Sequence, residues 1–278
     1  MTVKTKSNLT PKQEDWRARY GPWAVVTGAS DGIGKALAQS VAQSGLNTVL
    51  VARRHIELER LAAELESRYG IEVLIVDADL GAPAGVDAVR RETAEKEIGL
   101  LIACAGFGTS GRLIDSDLDA ELDMIDVNCR AVLALTWHFS RQFVRRGRGG
   151  LILMSSLVAF QGVPMAANYA ATKAYVQTLA EGLRLELTPC GVDVLACAPG
   201  PIKSGFAARA NMQMGMAQKP EDIAQATLRA LGHKTTVRPG WLAKLLEGAM
   251  TGMPRWGRSR ILGGVMRGMT KHQLTPAE

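Results

Sequence analysis

Short, almost continuous apolar runs alternate along the chain with longer stretches of helical periodicity. The runs lie at 24–27, 48–52, 72–76, 100–104, 151–155 and 192–198, with a weaker one at 235–238. None alternates apolar and polar positions, so each is expected to be a strand covered on both faces. The segments between them, 33–45, 55–69, 83–97, 119–146, 168–189 and 221–231, are long enough for helices. This alternation predicts an α/β fold, a doubly wound parallel sheet of about seven strands with helices on both faces. No repeat or low-complexity linker interrupts it, so residues 23–238 are taken as one domain. A polar extension at 1–22 precedes it, with Trp16 and Tyr20 expected to pack it onto the domain. Residues 205–220 make the long loop after the sixth strand, a natural lid.

Beyond 238 the pattern changes. Trp241, Leu242, Leu245, Leu246, Ala249, Met250 and Met253 share one helical face, and Ile261, Leu262, Val265, Met266 and Met269 share a second, with Arg and Lys between. The formal net charge is +6 and all of it lies here: residues 234–278 carry eight basic side chains against Glu247 and Glu278, while residues 1–233 balance. A basic amphipathic tail at 239–278 suits an anionic membrane surface or an acidic partner. Its six glycines from Gly248 to Gly268 weaken a free-standing helix. Packing on the domain or a dimer mate is therefore the expected arrangement, with the basic residues at the rim of a substrate entrance.

Composition narrows the class further. With 278 residues, 47% hydrophobic and 22% charged, the chain is an ordinary globular protein. Cys104, Cys129, Cys190 and Cys197 stand singly, which favours reduced thiols over disulfides or zinc. The six acids of 115–126 lack calcium-loop spacing and read as an acidic helix start. No metal site is expected. No apolar run approaches the ~18–20 residues of a membrane span, and residues 1–19 have no apolar leader core, so a cytoplasmic protein is expected. No nucleic-acid-binding motif is present.

The first candidate chemistry is Thr27-Gly28-Ala29-Ser30-Asp31-Gly32-Ile33-Gly34, between the first strand and the first helix of the domain. Gly28 permits a tight turn, Gly32 a close backbone approach to a pyrophosphate, and Gly34 close helix–strand packing, while the helix N-terminus offers free N–H groups to an anion. The second strand ends Val51-Ala52-Arg53-Arg54. An NAD-preferring site places a carboxylate there for the ribose 2′-hydroxyl. Two arginines would instead grip a 2′-phosphate, so NADP(H) is the expected cofactor. Further on, Tyr169 and Lys173 are four apart on one predicted helix and share a face, with Ser155-Ser156 upstream. A cation beside a phenol favours its ionised form, which makes Tyr-x-x-x-Lys a general acid/base unit.

On these ordered motifs, residues 20–238 resemble the short-chain dehydrogenase/reductase family. The resemblance implies a Rossmann-type sheet and carries over several roles. Gly28, Gly32 and Gly34, with Ser30, Asp31 and Ile33 between, match the family's cofactor turn. Asp79-Leu80 matches its adenine contact, Ala105-Gly106 its close pass by the cofactor, and Asn128 its active-site asparagine. Its carbonyl-polarising serine precedes the tyrosine by thirteen residues, which selects Ser156 over Ser155. Tyr169 and Lys173 match the catalytic pair. Pro199-Gly200-Pro201-Ile202-Lys203-Ser204 matches the nicotinamide-amide segment, with Ile202 as backbone anchor and Ser204 keeping the usual threonine's hydroxyl. One departure is Ala103-Cys104-Ala105-Gly106, where the family has Asn-Asn-Ala-Gly: two bracing amides are gone, which puts local rigidity in question. Cys104 is expected to be an inert buried thiol.

The family chemistry so implied is hydride transfer between nicotinamide C4 and a carbonyl or carbinol carbon. Tyr169 would exchange the proton and Ser156 would hydrogen-bond the oxygen. Lys173 would lower the tyrosine pKa and hold the ribose, and Asn128 would hold a water that relays protons to Lys173. The resemblance also implies a homodimer or homotetramer built on 119–146 and 168–189. The substrate is legible only in outline. Seven of the eleven methionines, Met212, Met214, Met216 and four in the tail, fall in the last 67 residues. A greasy pocket for an acyl chain, a sterol-like or another apolar ketone fits them better than a sugar site, and ordinary packing of a mobile lid explains them equally well. The competing functions are a catalytically weak dinucleotide-binding sensor and a membrane- or carrier-docking protein acting through the tail.

Overall fold

The computed structural model describes residues 9–213, 215, 217–240 and 252–273. All the strand pairings are parallel, and the sheet order is β3-β2-β1-β4-β5-β6-β7. The strands are β1 Trp23–Thr27, β2 Asn47–Ala52, β3 Val73–Asp77, β4 Ile98–Ala103, β5 Gly149–Met154, β6 Val192–Cys197 and β7 Thr236–Val237. Their side chains alternate between two apolar layers. Ala24 and Val26 of β1 pack toward α2 (Gly32–Gln43), α3 (His55–Tyr69) and α9 (Pro220–Ala230), with Leu37, Leu58 and Ile223 in that layer. Val25 packs toward α4 (Pro83–Glu92), α6 (Val132–Arg146) and α7 (Ala167–Leu187), with Val86, Phe139 and Val176. Two-sided burial is why the runs show no polar alternation. The strand order turns back between β1 and β4, which opens a crevice at their C-terminal ends, the place where such sheets bind ligands.

Four elements depart from the sequence expectation. Residues 11–20 of the polar extension are a helix, α1 (Pro11–Tyr20), started by a Thr10/Gln13 capping box with Pro11 in its first turn. It is fastened across the sheet by Tyr20 Oη and Arg19 Nε, which donate to Asp193 Oδ2 at 2.7 and 2.8 Å. The helix expected at 83–97 stops at Glu92, where the Thr93 hydroxyl bonds back to the Val89 carbonyl at 2.7 Å. The single helix expected at 119–146 is three pieces: α5 (Leu118–Ile125), a π-helical turn at Asp126–Ala131, and α6. Such turns displace a side chain out of regular α spacing, and this one carries the fully buried Asn128. The expected lid carries regular structure. Its ends are zipped together by Lys203 N donating to Gln218 O and Gln218 N to Pro201 O, each at 2.9 Å, and a single turn, α8 (Phe206–Arg209), lies inside it. Met214 and Met216 lie outside the described residues.

In the tail, α10 (Arg255–Met269) buries Leu262 and Met266 against Phe107, Met124, Val163 and Tyr169. Hydrogen bonds tie it to the lid and to the loop after β4: Gln213 N donates to Met269 O at 2.9 Å, and Gln273 Nε2 to Ser110 Oγ at 2.9 Å. Of the second apolar face expected in the tail, Leu262, Met266 and Met269 pack on the body, while Ile261 and Val265 stay exposed. The first face, from Trp241 to Met250, lies outside the described residues. Among the described residues no helix is long and apolar enough to cross a membrane.

Candidate active site

A cleft of about 560 Å3 runs along the crevice from Arg53 and Asp79 at one end to α10 at the other. Its floor is the turn after β1. Gly28 has φ of +68°, and a Cβ there would stand 2.9 Å from Ala105 Cα, so only glycine allows the two segments to touch. A Cβ on Gly34 would overlap the Gly28 carbonyl oxygen, so the helix can begin directly above the turn. Asp31 precedes α2 without capping it; its Oδ2 accepts from the lid's Gly205 N at 3.0 Å. The first N–H groups of α2 therefore have no carboxylate cap, and Ile33 lines the cleft beside them.

Arg54 Nε and Nη2 donate to Ser30 Oγ at 3.1 and 3.0 Å, which places one guanidinium against the glycine turn. Arg53 pairs with Asp79 at 3.4 Å, both half exposed. Leu80 is buried behind them. The two arginines and Asp79, expected around the adenosine, do converge, although two of the three already touch one another. Farther along, Leu157 N donates to Pro199 O at 3.1 Å, Gly200 lines the cleft, and Ile202 is buried and bridged to Gln218. Ser204 faces Gly32, where an added Cβ would come within 2.9 Å of its own.

The bracing lost with the missing amides is supplied by Thr27. Its Oγ1 accepts from Cys104 N at 3.0 Å and Ala105 N at 2.9 Å, clamping the end of β1 to the segment after β4. In the sequence Thr27 heads the glycine motif with no role for its hydroxyl; a hydroxyl ending the strand before the glycine turn was the available signal. Cys104 lies beside Lys173, and burial pushes its thiol up to about 12, which keeps it protonated and unreactive.

Tyr169 and Lys173 lie on the inner face of α7, both buried. Ser155 Oγ donates to the Lys173 carbonyl at 3.1 Å and is spent there, while Ser156 lines the cleft with Tyr169. Burial pushes the Tyr169 phenol up to about 12, with Ser156 acting in the opposite direction and lowering its pKa. Burial brings the Lys173 ammonium down to about 8; the Cys104 and Cys129 thiols oppose the shift. Lys173 Nζ donates to Met154 O at 3.0 Å and stands 5.8 Å from the centre of the Tyr169 ring.

Asn128 braces this group. Its Nδ2 donates to Phe107 O at 2.8 Å and Thr172 Oγ1 at 3.0 Å, and its Oδ1 accepts from Phe107 N at 3.1 Å. Both donors are thus committed, which leaves one lone pair of Oδ1 for the expected water. A Cβ on Gly106 would lie 2.8 Å from that oxygen and 3.2 Å from Lys173 Nζ, so glycine is required where the two meet.

Beyond Tyr169 the cleft is apolar. Phe206 of the lid lies 5.4 Å from the tyrosine ring, and Val158, Val163, Met212, Leu262 and Met266 continue the wall. Met212 and the tail's Met266 and Met269, expected either to line a greasy pocket or to pack a lid, all line the cleft, and the lid–tail hydrogen bonds join their segments. Phe206 and Arg209 were missed as cleft residues, since nothing in the spacing of a four-residue turn predicts which side faces inward. Among the described residues no cluster of His, Cys, Asp or Glu could hold a metal.

Comparison with known proteins agrees with this geometry. The family model described as short chain dehydrogenase matches residues 22–215. A solved structure of 7beta-hydroxysteroid dehydrogenase superposes with a TM-score of 0.83 at 28% identity, covering 89% of this chain and 98% of the other. A short-chain dehydrogenase from Sphingobium yanoikuyae in complex with NADPH gives a TM-score of 0.75 at 31% identity over 84% and 94%. The very-long-chain 3-oxoacyl-CoA reductase of Pyrenophora tritici-repentis is 30% identical over 256 residues, 87% of this chain and 72% of that one. With its sheet order, its glycine turn and a family match over most of its length, the chain belongs to the short-chain dehydrogenase family of oxidoreductases.

Proposed function

We propose that this protein is an NADP(H)-dependent oxidoreductase that interconverts a bulky apolar ketone and its secondary alcohol. One observation carries the reading: the Ser156–Tyr169–Lys173 group stands where a dinucleotide-sized cradle meets an apolar chamber. The cradle fits the cofactor. Gly28, Gly32 and Gly34 let the turn, α2 and the segments after β4 and β6 close on one another with no side chain between them, α2 presents uncapped N–H groups, and Arg53 and Arg54 line the cleft where they would flank a 2′-phosphate. Bound NADPH would supply a hydride to the carbonyl carbon.

The protein's own groups do the rest. Ser156 and the Tyr169 phenol hydrogen-bond the carbonyl oxygen and stabilise the charge that grows on it. Tyr169, protonated at neutral pH, gives its proton to that oxygen. Lys173 holds a cation near the resulting phenolate and reaches the ribose side of the cleft past Gly106, while Asn128 fixes the loop that both depend on. The apolar wall excludes water from the reacting oxygen. A dinucleotide sensor would have no use for this acid–base group, and membrane docking could accompany catalysis without replacing it.

The related steroid dehydrogenase and very-long-chain 3-oxoacyl-CoA reductase support two substrate classes, keto-steroids and long-chain ketoacyl thioesters. Both match the chamber. NADPH consumption assayed against these two classes and a set of keto-sugars tests the proposal. Turnover with at least one apolar class and none with sugars is expected; activity confined to sugars would overturn it. In the same experiment NADPH should bind at least ~10-fold tighter than NADH, about 1.4 kcal/mol, and Arg53→Ala should remove most of the difference. Equal affinities in the parent protein would count against NADP(H). The reading includes a homo-oligomer formed through α6 and α7, where Leu133, Trp137 and Leu185 are exposed. A monomer mass by light scattering would remove it.

A further inference from the structure

Arg53 and Arg54 are not the only guanidiniums facing the cofactor end of the cleft. Arg209, the last residue of α8, lines the same cleft from the opposite side. Its guanidinium lies 4.1 Å over the Phe107 ring, and Phe107 follows the Ala105-Gly106 segment that passes beneath the cofactor site. The arginine thus spans from the lid to the loop after β4. Burial lowers its pKa first, Arg53 lowers it next, and Asp123 and Asp79 pull it back, with Arg54 the weakest contributor. Arg209 lines the same cleft as Arg53, Arg54 and Asp79, so its guanidinium shares that space with both other arginines. Among the described residues Arg209 forms no ion pair; its partner is an aromatic face.

The base of Arg209's turn is fixed. Gly205 N, one residue before α8, donates to Asp31 in the glycine turn at 3.0 Å, and Arg209 N donates to Gly205 O at 3.1 Å. Just beyond, Ala210 is buried and its carbonyl accepts from Ser110. Three arginines line this one cleft and Asp79 pairs with only one of them, so the cleft keeps an excess of positive charge that favours a bound anion. A guanidinium whose partner is an aromatic ring keeps its N–H donors uncommitted, available for a planar, two-point contact with phosphate.

Building on the dinucleotide reading above, we propose that Arg209 is a third phosphate-binding arginine, which closes from the lid onto the adenosine-side phosphates of the bound dinucleotide. The sites opened by Arg53, Arg54 and the α2 N-terminus lie on the floor of the cleft; Arg209 supplies the roof. The lid then recognises the cofactor as well as covering the substrate, since Phe206 at the other end of the same turn packs on Tyr169.

Dissociation constants for NADPH, NADH and 2′,5′-ADP, measured on the full chain with the parent protein, Arg209→Gln, Arg209→Lys and Arg53→Ala, test this. Arg209→Gln is expected to weaken NADPH about tenfold, with Arg209→Lys in between because it keeps the charge and loses the fork. A loss for NADPH and 2′,5′-ADP that spares NADH supports the proposal with the 2′-phosphate as the group held. Equal losses for NADPH and NADH support it with the pyrophosphate as the group held. If Arg209→Gln binds all three like the parent while Arg53→Ala loses NADPH, the Arg209 proposal is overturned and the dinucleotide reading stands. If the parent binds neither dinucleotide, both fall.

Discussion

Tyr169→Phe is expected to reduce turnover by ~10²–10⁴-fold while leaving NADPH affinity within about twofold of the parent. The variant keeps the ring that packs on Phe206 and loses only the hydroxyl. On the proposed reading, cofactor affinity rests on the glycine turn, α2 and the arginines, none of which the phenol touches. The pH dependence follows from the direction of the shift. With the phenol pushed up to about 12 in the free protein, the proton needed for ketone reduction is present throughout the neutral range. Reduction should therefore be nearly flat from pH 6 to 8, whereas alcohol oxidation, which needs the phenolate, should rise with pH. Steady-state rates in both directions and fluorescence titration of NADPH check the two halves. Retention of more than a tenth of the parental rate by Tyr169→Phe would remove the phenol from the chemistry.

Most of the scaffold was legible because its strands are buried on both faces. Burial on two sides leaves no polar alternation, so each strand stands out as an apolar run, and the edges fall within a few residues. The exceptions are instructive. β5 begins at Gly149-Gly150, two residues before the apolar run. Those glycines have no side chain to extend an apolar run, and the Tyr20 ring lies 3.0 Å from where a Gly150 Cβ would stand. α1 covers the sheet there, a contact from far back in the sequence that no local window contains. The break at Asn128 was hidden for a related reason. Its cause is a pair of hydrogen bonds to Phe107, twenty-one residues upstream, and the helix adjusts its winding to make them.

The candidate site divides along the same line. Ser156, Tyr169, Lys173 and the glycine turn sit at fixed spacings beside strand ends, so the order of strands brings them to one crevice without further information. What sequence could not supply was the outer wall. Lid and tail are joined by Gln213 to Met269 and Gln273 to Ser110, bonds between segments with no shared periodicity. The +6 charge drew attention to the tail as a basic surface. Its structural contribution in α10 is apolar: Leu262 and Met266 complete the chamber.

Lys173→Met should separate stability from function. Lys173 is 5% exposed, and burial brings its ammonium down from the ordinary 10.5 to about 8. Below pH 8 both folded and unfolded chains carry the proton, so the folded protein bears the whole cost of burying the charge, roughly 3 kcal/mol from the size of the shift. Between pH 8 and 10.5 the unfolded chain keeps the proton and the folded chain gives it up, so stability rises with pH; above 10.5 the cost is gone. Methionine fills similar space without a charge and forfeits the bond to Met154 O, worth about 1–3 kcal/mol where the acceptor stays buried. At pH 7 the variant should therefore unfold at the same or higher denaturant concentration than the parent. Its turnover should fall by at least ~10²-fold, because the phenolate loses its cation. As pH rises from 8 to 10 the parent should gain on the variant; above that range Tyr169 titrates as well. Urea unfolding of both proteins at pH 7, 8, 9 and 10, without cofactor, isolates this difference from every other titrating group. A constant gap across the series would mean that Lys173 keeps its ordinary proton affinity in the fold, and that its charge is held at no cost.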